Sequence, residues 1–500
     1  MKYISRIFML LAVVLVSACA EDYLDTFPTD QLGADQVLST IENQRAALEG
    51  MHRHMYSNAV GGSQGNRGGY GSMMINYDFL GHDVVNPQRG SGWFISAHQW
   101  IDHRNNSGAL VSFTYDYFYT MIVNANNVIN SIDAVDGDDA EKANIKGQAL
   151  FYRAFGHFNL VQAFGSRYVP GQNNTQLGVV INLDDLTNIG ESKARSTVEE
   201  VYTQIQTDLT AALQNLTASG MTFASDKSQI STNVVNGVLA RVALTKGEWA
   251  NAITYAQAAR SGFSLTNMAD ITNGFNNDDT SGWMWASHVI PDQGEYFASF
   301  FAYMSYNYSS THIRNDPKCI NADLYDMIPT TDVRKGFWAE TAAERAAINI
   351  PSNFAKYAYM NTKFEALPSG TIGDGDVVLM RVAEMILIEA EANAQLGNDV
   401  AARTALLSLT SERDTNAALS TNAGQALLDE ILVQRRIELW GEGFNFLDLK
   451  RLNLPLFRPQ RGSFSLTQAR ITNMPAGGPE WQFLLPISAM NVNKLLVQNP

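Results

Sequence analysis

Apolar residues recur at helical spacing over most of the chain, in stretches separated by breaks that contain glycine or proline. The predicted helical stretches are 113–134, 140–164, 197–216, 232–261, 377–413 and 423–451. An apolar run at 176–182 is a candidate strand. Residues 265–375 show little periodicity and are rich in Asn, Asp, Gly, Trp and Tyr. The pattern therefore predicts a mainly α-helical fold that carries an irregular, loop-rich part.

Two of these stretches repeat one helix–turn–helix pattern. Residues 239–259 read LARVALTKGEWANAITYAQAA, and residues 388–407 read IEAEANAQLGNDVAARTALL. Gly247 and Gly397 are placed to end the first helix of each pair in a left-handed cap. Alanines at matching positions allow the two helices of a pair to approach closely. The pattern resembles the tetratricopeptide unit and predicts a helical-repeat scaffold with a continuous core.

Composition and charge narrow the class of protein. With 500 residues, 45% of them hydrophobic and 17% charged, the chain has the composition of a folded globular protein. Its formal net charge of -15 repels phosphate backbones, so we expect no nucleic-acid partner. The only two cysteines, Cys19 and Cys319, lie far apart and predict neither a disulfide framework nor a CxxC metal site. No pattern calls for a cofactor.

The first residues have the anatomy of a lipoprotein signal peptide. Two basic residues precede an apolar run at 7–16 that is too short to span a bilayer. The sequence VSAC, which ends at Cys19, resembles the bacterial lipobox, and the acidic residues after it resemble the surface-export signal of Bacteroidota lipoproteins. We predict a signal peptide at 1–18, a tether at 19–36, and an acylated Cys19 that anchors the protein in outer-membrane lipid at the cell surface. An ordinary secreted protein is the alternative.

Four further motifs occur in order along the chain. They are QALFYRAFGHFNLVQAFGSRYVP at 148–170, VVLMRVAEMILIEAE at 377–391, ILVQRRIELWGEGFNFLDLKR at 431–451, and FLLPISAMNVNKLLVQNP at 483–500. With the lipobox, they resemble the SusD/RagB family of nutrient-uptake outer-membrane lipoproteins nearly from end to end. The resemblance implies a SusD-like fold, a glycan ligand, no catalysis, and a SusC-like TonB-dependent transporter as partner. We divide the body into an N-terminal helical region at 37–264 and a C-terminal region at 265–500, which includes the loop-rich part.

Charged residues lie within the apolar C-terminal motifs, where they are tolerated only when paired and hydrogen-bonded. We predict a structural ion-pair network that joins the two C-terminal helical segments and consists of Arg381, Glu384, Arg435, Arg436, Glu438 and Asp448. Gln434 and Asn445 stand where the family has a glutamate and a basic residue. We interpret them as a neutral amide pair that replaces an ion pair.

Two clusters of aromatic and polar residues in non-periodic regions are the candidates for ligand binding. A flat ring stacks on the apolar C–H face of a sugar, while carboxylate, amide and guanidinium groups hydrogen-bond its hydroxyls. The first candidates are Trp93, Trp100 and Trp283. The further candidates are Asp83, Asn86, Arg89, Trp285, Tyr303 and Tyr306. The alternative is that most of these aromatic residues form part of the core.

Two other classes of protein stay open at this point. A surface glycoside hydrolase would use paired carboxylates, for which Asp83 and Asp102 are candidates, and would turn over a glycan. A helical-repeat scaffold that binds only proteins would bury the aromatic clusters. Affinity for a glycan without turnover favours the binding protein over both.

Overall fold

The computed structural model describes residues 38–57, 63–90, 92–185, 191–223, 225–290, 292, 297–368 and 373–500. The predicted signal peptide, the lipidation at Cys19 and the predicted tether at 19–36 lie outside these residues. Within the described ranges, no helix is both long enough and apolar enough to cross a membrane.

Helices dominate the fold, as the periodicity predicts. In chain order they are α1 Ile41–His54, α2 Tyr70–Leu80, α3 Ile95–His98, α4 Ala109–Ser131, α5 Asp139–Phe164, α6 Val198–Ser219, α7 Thr232–Lys246, α8 Trp249–Arg260, α9 Phe300–Met304, α10 Thr311–Asn315, α11 Ala322–Asp326, α12 Ala342–Ala347, α13 Val382–Gln395, α14 Asp399–Thr410, α15 Gly424–Glu438, α16 Asn445–Leu452, α17 Leu466–Ala469 and α18 Ile487–Val492. Several of them begin with a side-chain cap, such as the capping box between Thr197 and Glu200 at the start of α6.

Strands are short and antiparallel. They are β1 Val84–Val85, β2 Trp283–Ser287, β3 Cys319–Ile320, β4 Trp338–Ala339, β5 Met360–Asn361, β6 Val377–Arg381, β7 Leu456–Phe457 and β8 Asn473–Met474. One sheet has the order β1-β3-β5-β4, and β2 pairs with β6 and β7 with β8. The pairs join segments that are far apart in sequence, for example Ser287 with Val377.

The two repeated stretches form helical hairpins. Helices α7 and α8 pack against each other, as do α13 and α14, and α8 packs on α13 so that the hairpins stack. Gly247 and Gly397 follow the first helix of each hairpin with φ of 73° and 76°, a conformation that favours glycine. Helices α4, α5 and α6 pack side by side against the N-terminal part of this stack, and most of α5 is buried.

Two sequence-based assignments differ from the structure. The apolar stretch that begins at 377 is a strand, β6, before it becomes the helix α13, because four of its first five residues pair with β2 and all five are buried. The apolar run at 176–182 forms no strand, and only Leu177 makes an isolated bridge, to Thr197. The run instead lies beside residues 196–198, where the Gly178 amide donates to the Ser196 carbonyl at 2.8 Å and the Ser196 amide donates to the Val179 carbonyl at 2.9 Å, a pairing too short to form a strand.

Candidate functional site

Trp93 lies on a tight turn that leaves β1. The amide of Gly92 donates to the carbonyl of Arg89 at 2.8 Å, and the amide of Gln88 donates to the Asp316 carboxylate at 3.1 Å. Gly90 has φ of +53°, and a Cβ at this position would lie 2.8 Å from the Cβ of Asp316. The chain can therefore approach Asp316 only with glycine at position 90, and this approach fixes the start of the turn.

The ring of Trp93 is held by other rings. Its centroid lies 5.1 Å from that of Tyr303 in an edge-on arrangement and 5.6 Å from that of His312. The Tyr303 hydroxyl donates to the carbonyl of Gln64 at 2.7 Å, which anchors this support to a third segment. Trp93 itself stays partly exposed, so a fixed indole surface faces solvent. A pre-positioned ring loses little conformational freedom when a ligand stacks on it.

Arg89, Tyr306 and Tyr308 are further exposed or partly exposed side chains on the segments that carry Trp93 and its supporting Tyr303, and we call Arg89, Trp93, Tyr306 and Tyr308 together the Trp93 face. Arg89 is exposed on the turn, and the two tyrosines are partly exposed on the segment that joins α9 to α10. Burial, and next the Glu365 carboxylate, raise the pKa of Tyr306 to about 12. The phenol is therefore a neutral hydrogen-bonding group at physiological pH. The face combines apolar rings with one guanidinium.

Four aromatic residues predicted to bind ligand are part of the core. The Trp285 ring packs edge-on against Phe151 and Phe155, at 5.2 Å from each, and Trp283 is 1% exposed. Trp100 is buried, and its indole N–H donates to the Leu80 carbonyl at 2.8 Å. Tyr303 is fully buried beneath Trp93. Burial argues against a platform role for these rings, because stacking needs an accessible ring surface, and the Trp93 face omits them.

Asp83 and Asn86 are buried as well, so neither reaches a ligand on the surface. The Asp83 carboxylate accepts from Arg436 Nη2 at 2.6 Å and from Asn445 Nδ2 at 2.6 Å. The second carboxylate of the hydrolase alternative, Asp102, accepts the amide of Leu110 at 3.1 Å at the start of α4. Both carboxylates thus have structural partners, which weakens the hydrolase interpretation.

All six residues of the predicted ion network form ion pairs. Arg381 donates to Glu438 at 2.5 Å, and this contact joins the end of β6 to α15. Glu384 pairs with Arg241 of α7 instead, through two bonds of 2.7 Å. The Arg435 guanidinium donates to Asp448 at 2.7 Å.

Sequence reasoning missed other members of the network, some of which lie inside the C-terminal motifs while Arg241, Arg334, Lys363 and Arg413 lie outside them. The missed members are Arg241, Arg334, Lys363, Glu391, Arg413, Glu442 and Arg451. The interpretation of Gln434 and Asn445 as one amide pair is wrong. Gln434 accepts from Arg334 at 2.6 Å, whereas Asn445 accepts the amide of His82 at 2.7 Å and donates to Asp83. Each amide hydrogen-bonds to a different buried charged residue, Gln434 to Arg334 and Asn445 to Asp83.

The stacked helical scaffold, the ring-supported Trp93 and the structural partners of Asp83 and Asp102 fit a ligand-binding protein. A family profile described as "SusD family" matches residues 250–500, and one described as "Starch-binding associating with outer membrane" matches residues 73–244. The chain belongs to the SusD family, whose members bind carbohydrate without catalysis. The predicted family, the mainly helical fold and the absence of enzymatic function are thereby confirmed.

Individual relatives cover nearly the whole chain. SusD-like protein P2 of Formosa agariphila is 23% identical over 491 residues, which cover 91% of each chain. A solved SusD-like carbohydrate binding protein from Bacteroides vulgatus superposes with a TM-score of 0.79 at 26% identity, covering 92% of this chain and 97% of the other. A laminarin binding SusD-like protein has the same fold, with a TM-score of 0.68 at 19% identity over 92% of this chain and 99% of the other.

Proposed function

We propose that this chain is a cell-surface lipoprotein that captures oligosaccharides at the Trp93 face and delivers them to a SusC-like TonB-dependent transporter. Membership of the SusD family and the likeness to a carbohydrate binding protein of Bacteroides vulgatus support the sugar ligand. The observation that carries the choice of face is the partly exposed Trp93 ring, fixed by Tyr303 and His312 beside an exposed arginine. Binding and release, without covalent chemistry, constitute the mechanism.

Each side chain of the face has a distinct role in this proposal. Trp93 stacks on the apolar face of a sugar ring, and Tyr306 and Tyr308 extend the contact along the ligand. The Arg89 guanidinium donates to hydroxyl or ring oxygens at the rim. A neutral polysaccharide is the ligand class that fits best, because stacking and neutral hydroxyl contacts dominate over charge. The laminarin binding relative and the starch-binding description give the first two polymers to test.

Affinity electrophoresis through gels that contain laminarin, starch or another neutral glycan tests the ligand and the face together. We expect Trp93→Ala to reduce retardation in the ligand-containing gel at least about tenfold, because the variant lacks the ring on which the sugar stacks. Trp249→Ala is the matched control, since Trp249 is also partly exposed but begins helix α8. Unchanged retardation of Trp93→Ala would move the site elsewhere. No retardation of the native protein by any glycan would favour a peptide ligand or a protein-binding scaffold.

The anchor and the partner need separate experiments. Labelling with a radioactive fatty acid should mark the native protein and not Cys19→Ala, and protease added to whole cells should digest the anchored body. We also propose co-purification with a SusC-like transporter from detergent-solubilised outer membranes, and a SusC-like gene directly upstream. A native protein without label would remove the lipid anchor from the proposal. The division of the body at residue 264 stays a prediction.

A further inference from the structure

A polar cavity of about 790 Å³ lies apart from the Trp93 face. Five carboxylates line it, whereas among the described lining residues Arg53 is the one side chain with a permanent positive charge. The lining acidic residues are Glu49, Asp226, Asp278, Asp279 and Asp376. His288 joins them at the cavity wall and is 57% exposed at its side chain. The cavity therefore combines an excess of negative charge with an accessible imidazole.

Three of these residues bring their donor atoms together. The Nδ1 atom of His288 lies 3.2 Å from Oδ2 of Asp278 and 3.5 Å from Oδ1 of Asp376. All three residues offer one donor atom within 4.8 Å of the other two. Two donors that each lie about 2.1 Å from a tetrahedral ion stand about 3.4 Å apart, by the geometry of Zn²⁺ sites. The observed separations around the imidazole match that spacing.

Backbone contacts fix the three donors. Ser287 pairs with Val377 at the end of the β2–β6 ladder. His288, directly after β2, therefore lies opposite Asp376, directly before β6. The two oxygens of Asp376 accept the amides of Val289 at 2.9 Å and Asp278 at 3.0 Å. This carboxylate therefore holds all three segments in register and keeps a free lone pair on each oxygen.

Among the described residues, we find no lysine ammonium bonded to these carboxylates in the place of a metal ion. Lys227 is nearby, but its Nζ donates to the backbone carbonyls of Asp278 and Thr280 and not to the carboxylates. One imidazole nitrogen with two carboxylate oxygens is a donor set for first-row divalent metal ions such as Zn²⁺, and differs from the all-oxygen sets of Ca²⁺ and Mg²⁺.

We propose that Asp278, His288 and Asp376 form a divalent metal site at the wall of the acidic cavity, selective for Zn²⁺ or Co²⁺ over Ca²⁺. The ion links the loop before β2, the end of β2 and the start of β6. Its remaining coordination positions face the cavity and take water or an oxygen of a bound molecule. The proposal does not depend on carbohydrate binding at the Trp93 face.

Titration of the purified, EDTA-stripped protein with Zn²⁺ and with Co²⁺ tests the site. We expect one equivalent per chain by calorimetry and a visible Co²⁺ absorption band. We expect His288→Ala to weaken Zn²⁺ binding at least about tenfold, a loss of the size seen for metal-site substitutions. This variant keeps the fold, because the imidazole is exposed. His288 suits the test, because the other seven histidines, which all lie in described parts of the chain, are buried or only partly exposed.

Asp279→Asn is the matched control, because Asp279 lines the same cavity and lies outside the donor set. We expect Asp376→Asn to lose binding and Asp279→Asn to retain it. Equal loss in both variants would assign the affinity to general acidity of the cavity and overturn the site. Unchanged Zn²⁺ affinity in His288→Ala, or no stoichiometric binding by the native protein, would also overturn it, and the three residues would then be an imidazole–carboxylate hydrogen-bond cluster.

Discussion

Glu438 holds three buried arginines, and its replacement by glutamine is the sharpest test of how this fold is stabilised. Its carboxylate accepts from Arg334 at 2.9 Å, Arg381 at 2.5 Å and Arg413 at 2.9 Å, and none of the four side chains is more than 2% exposed. Burial alone would raise the pKa of Glu438, but the three guanidinium groups outweigh it and lower this pKa well below its ordinary range.

The size of the stability loss in Glu438→Gln follows from the partners that remain to the three arginines. In Glu438→Gln, Arg334 keeps the Asp332 carboxylate and Arg381 keeps that of Glu442. Within the described part of the chain, Arg413 keeps only the backbone carbonyls of Thr266 and Glu412. One buried guanidinium thus loses its countercharge, and such a loss costs about 3–5 kcal/mol. We expect the free energy of unfolding to fall by that amount at pH 7.

Urea denaturation followed by tryptophan fluorescence measures the change, because the buried Trp440 lies two residues beyond Glu438. The control is Asp429→Asn on the exposed side of the same helix α15, for which we expect a change within about 0.5 kcal/mol. The double variant Glu438→Gln with Arg413→Met should lose less than the sum of the single variants, because each removes the other's unpaired partner. A loss below about 1 kcal/mol in Glu438→Gln would refute the reasoning.

Acid supplies an independent check on the same carboxylate. Because its folded-state pKa is depressed, the stability that it contributes is present above the ordinary glutamate pKa of about 4.3 and is lost as the pH falls. The difference in unfolding free energy between the native protein and Glu438→Gln should therefore shrink below about pH 4. A difference that stays constant down to pH 3 would contradict the charge-based explanation.

Three other predictions rest on buried groups of the core. Burial raises the pKa of Asp78 to about 8, so the folded state keeps a proton that the unfolded state loses near pH 3.8. As the pH rises from 4 to 8, the urea midpoint of the native protein should therefore fall relative to that of Asp78→Asn. Lys450→Met removes the donor to three carbonyls at the carboxyl end of α5 and should cost about 1–3 kcal/mol, whereas the exposed Lys494→Met should cost almost nothing in thermal unfolding. Gly443→Ala places a Cβ 2.7 Å from the backbone of α2, whereas a Cβ at Gly397, which shares the positive φ, meets open space. The free energy of unfolding should therefore fall at least about 2 kcal/mol further in Gly443→Ala than in Gly397→Ala. Equal losses in the two variants would contradict the steric explanation.

Local pattern predicted the helical part of this fold well. The stretch predicted at 140–164 is helix α5, Asp139–Phe164, because apolar residues recur along it at helical spacing and the first turn carries a cap from Asp138. The repeated hairpins were predictable for the same reason, since Gly247 and Gly397 end helices through a conformation that sequence alone specifies. Helices form from contacts three and four residues apart, which a single sequence displays.

Long-range pairing explains where prediction failed. Trp283 and Trp285 lie in a region without periodicity, which indicates loops, but pairing with Arg381 and Met380 nearly a hundred residues away builds a strand and buries both rings. The aromatic composition was a correct sign of a dense core there and an incorrect sign of exposure. The metal-site candidate has the same origin, because only the β2–β6 register brings His288 beside Asp376.

The buried charges and the Trp93 face belong to one mechanical arrangement. Arg436 of α15 holds Asp83 directly before β1, and β1 pairs with β3 through Val84 and Ile320. Asp316, which forms a fully buried pair with Lys318 next to β3, accepts the amide that starts the turn to Trp93.

The chain is therefore held at residues 83 and 88, both ahead of Trp93, by these ion pairs, although no member of either pair is part of the Trp93 face. If the Trp93 face binds glycan as proposed, Arg436 contributes to binding by positioning this segment. A variant such as Arg436→Met should weaken glycan binding without removing any atom from the Trp93 face.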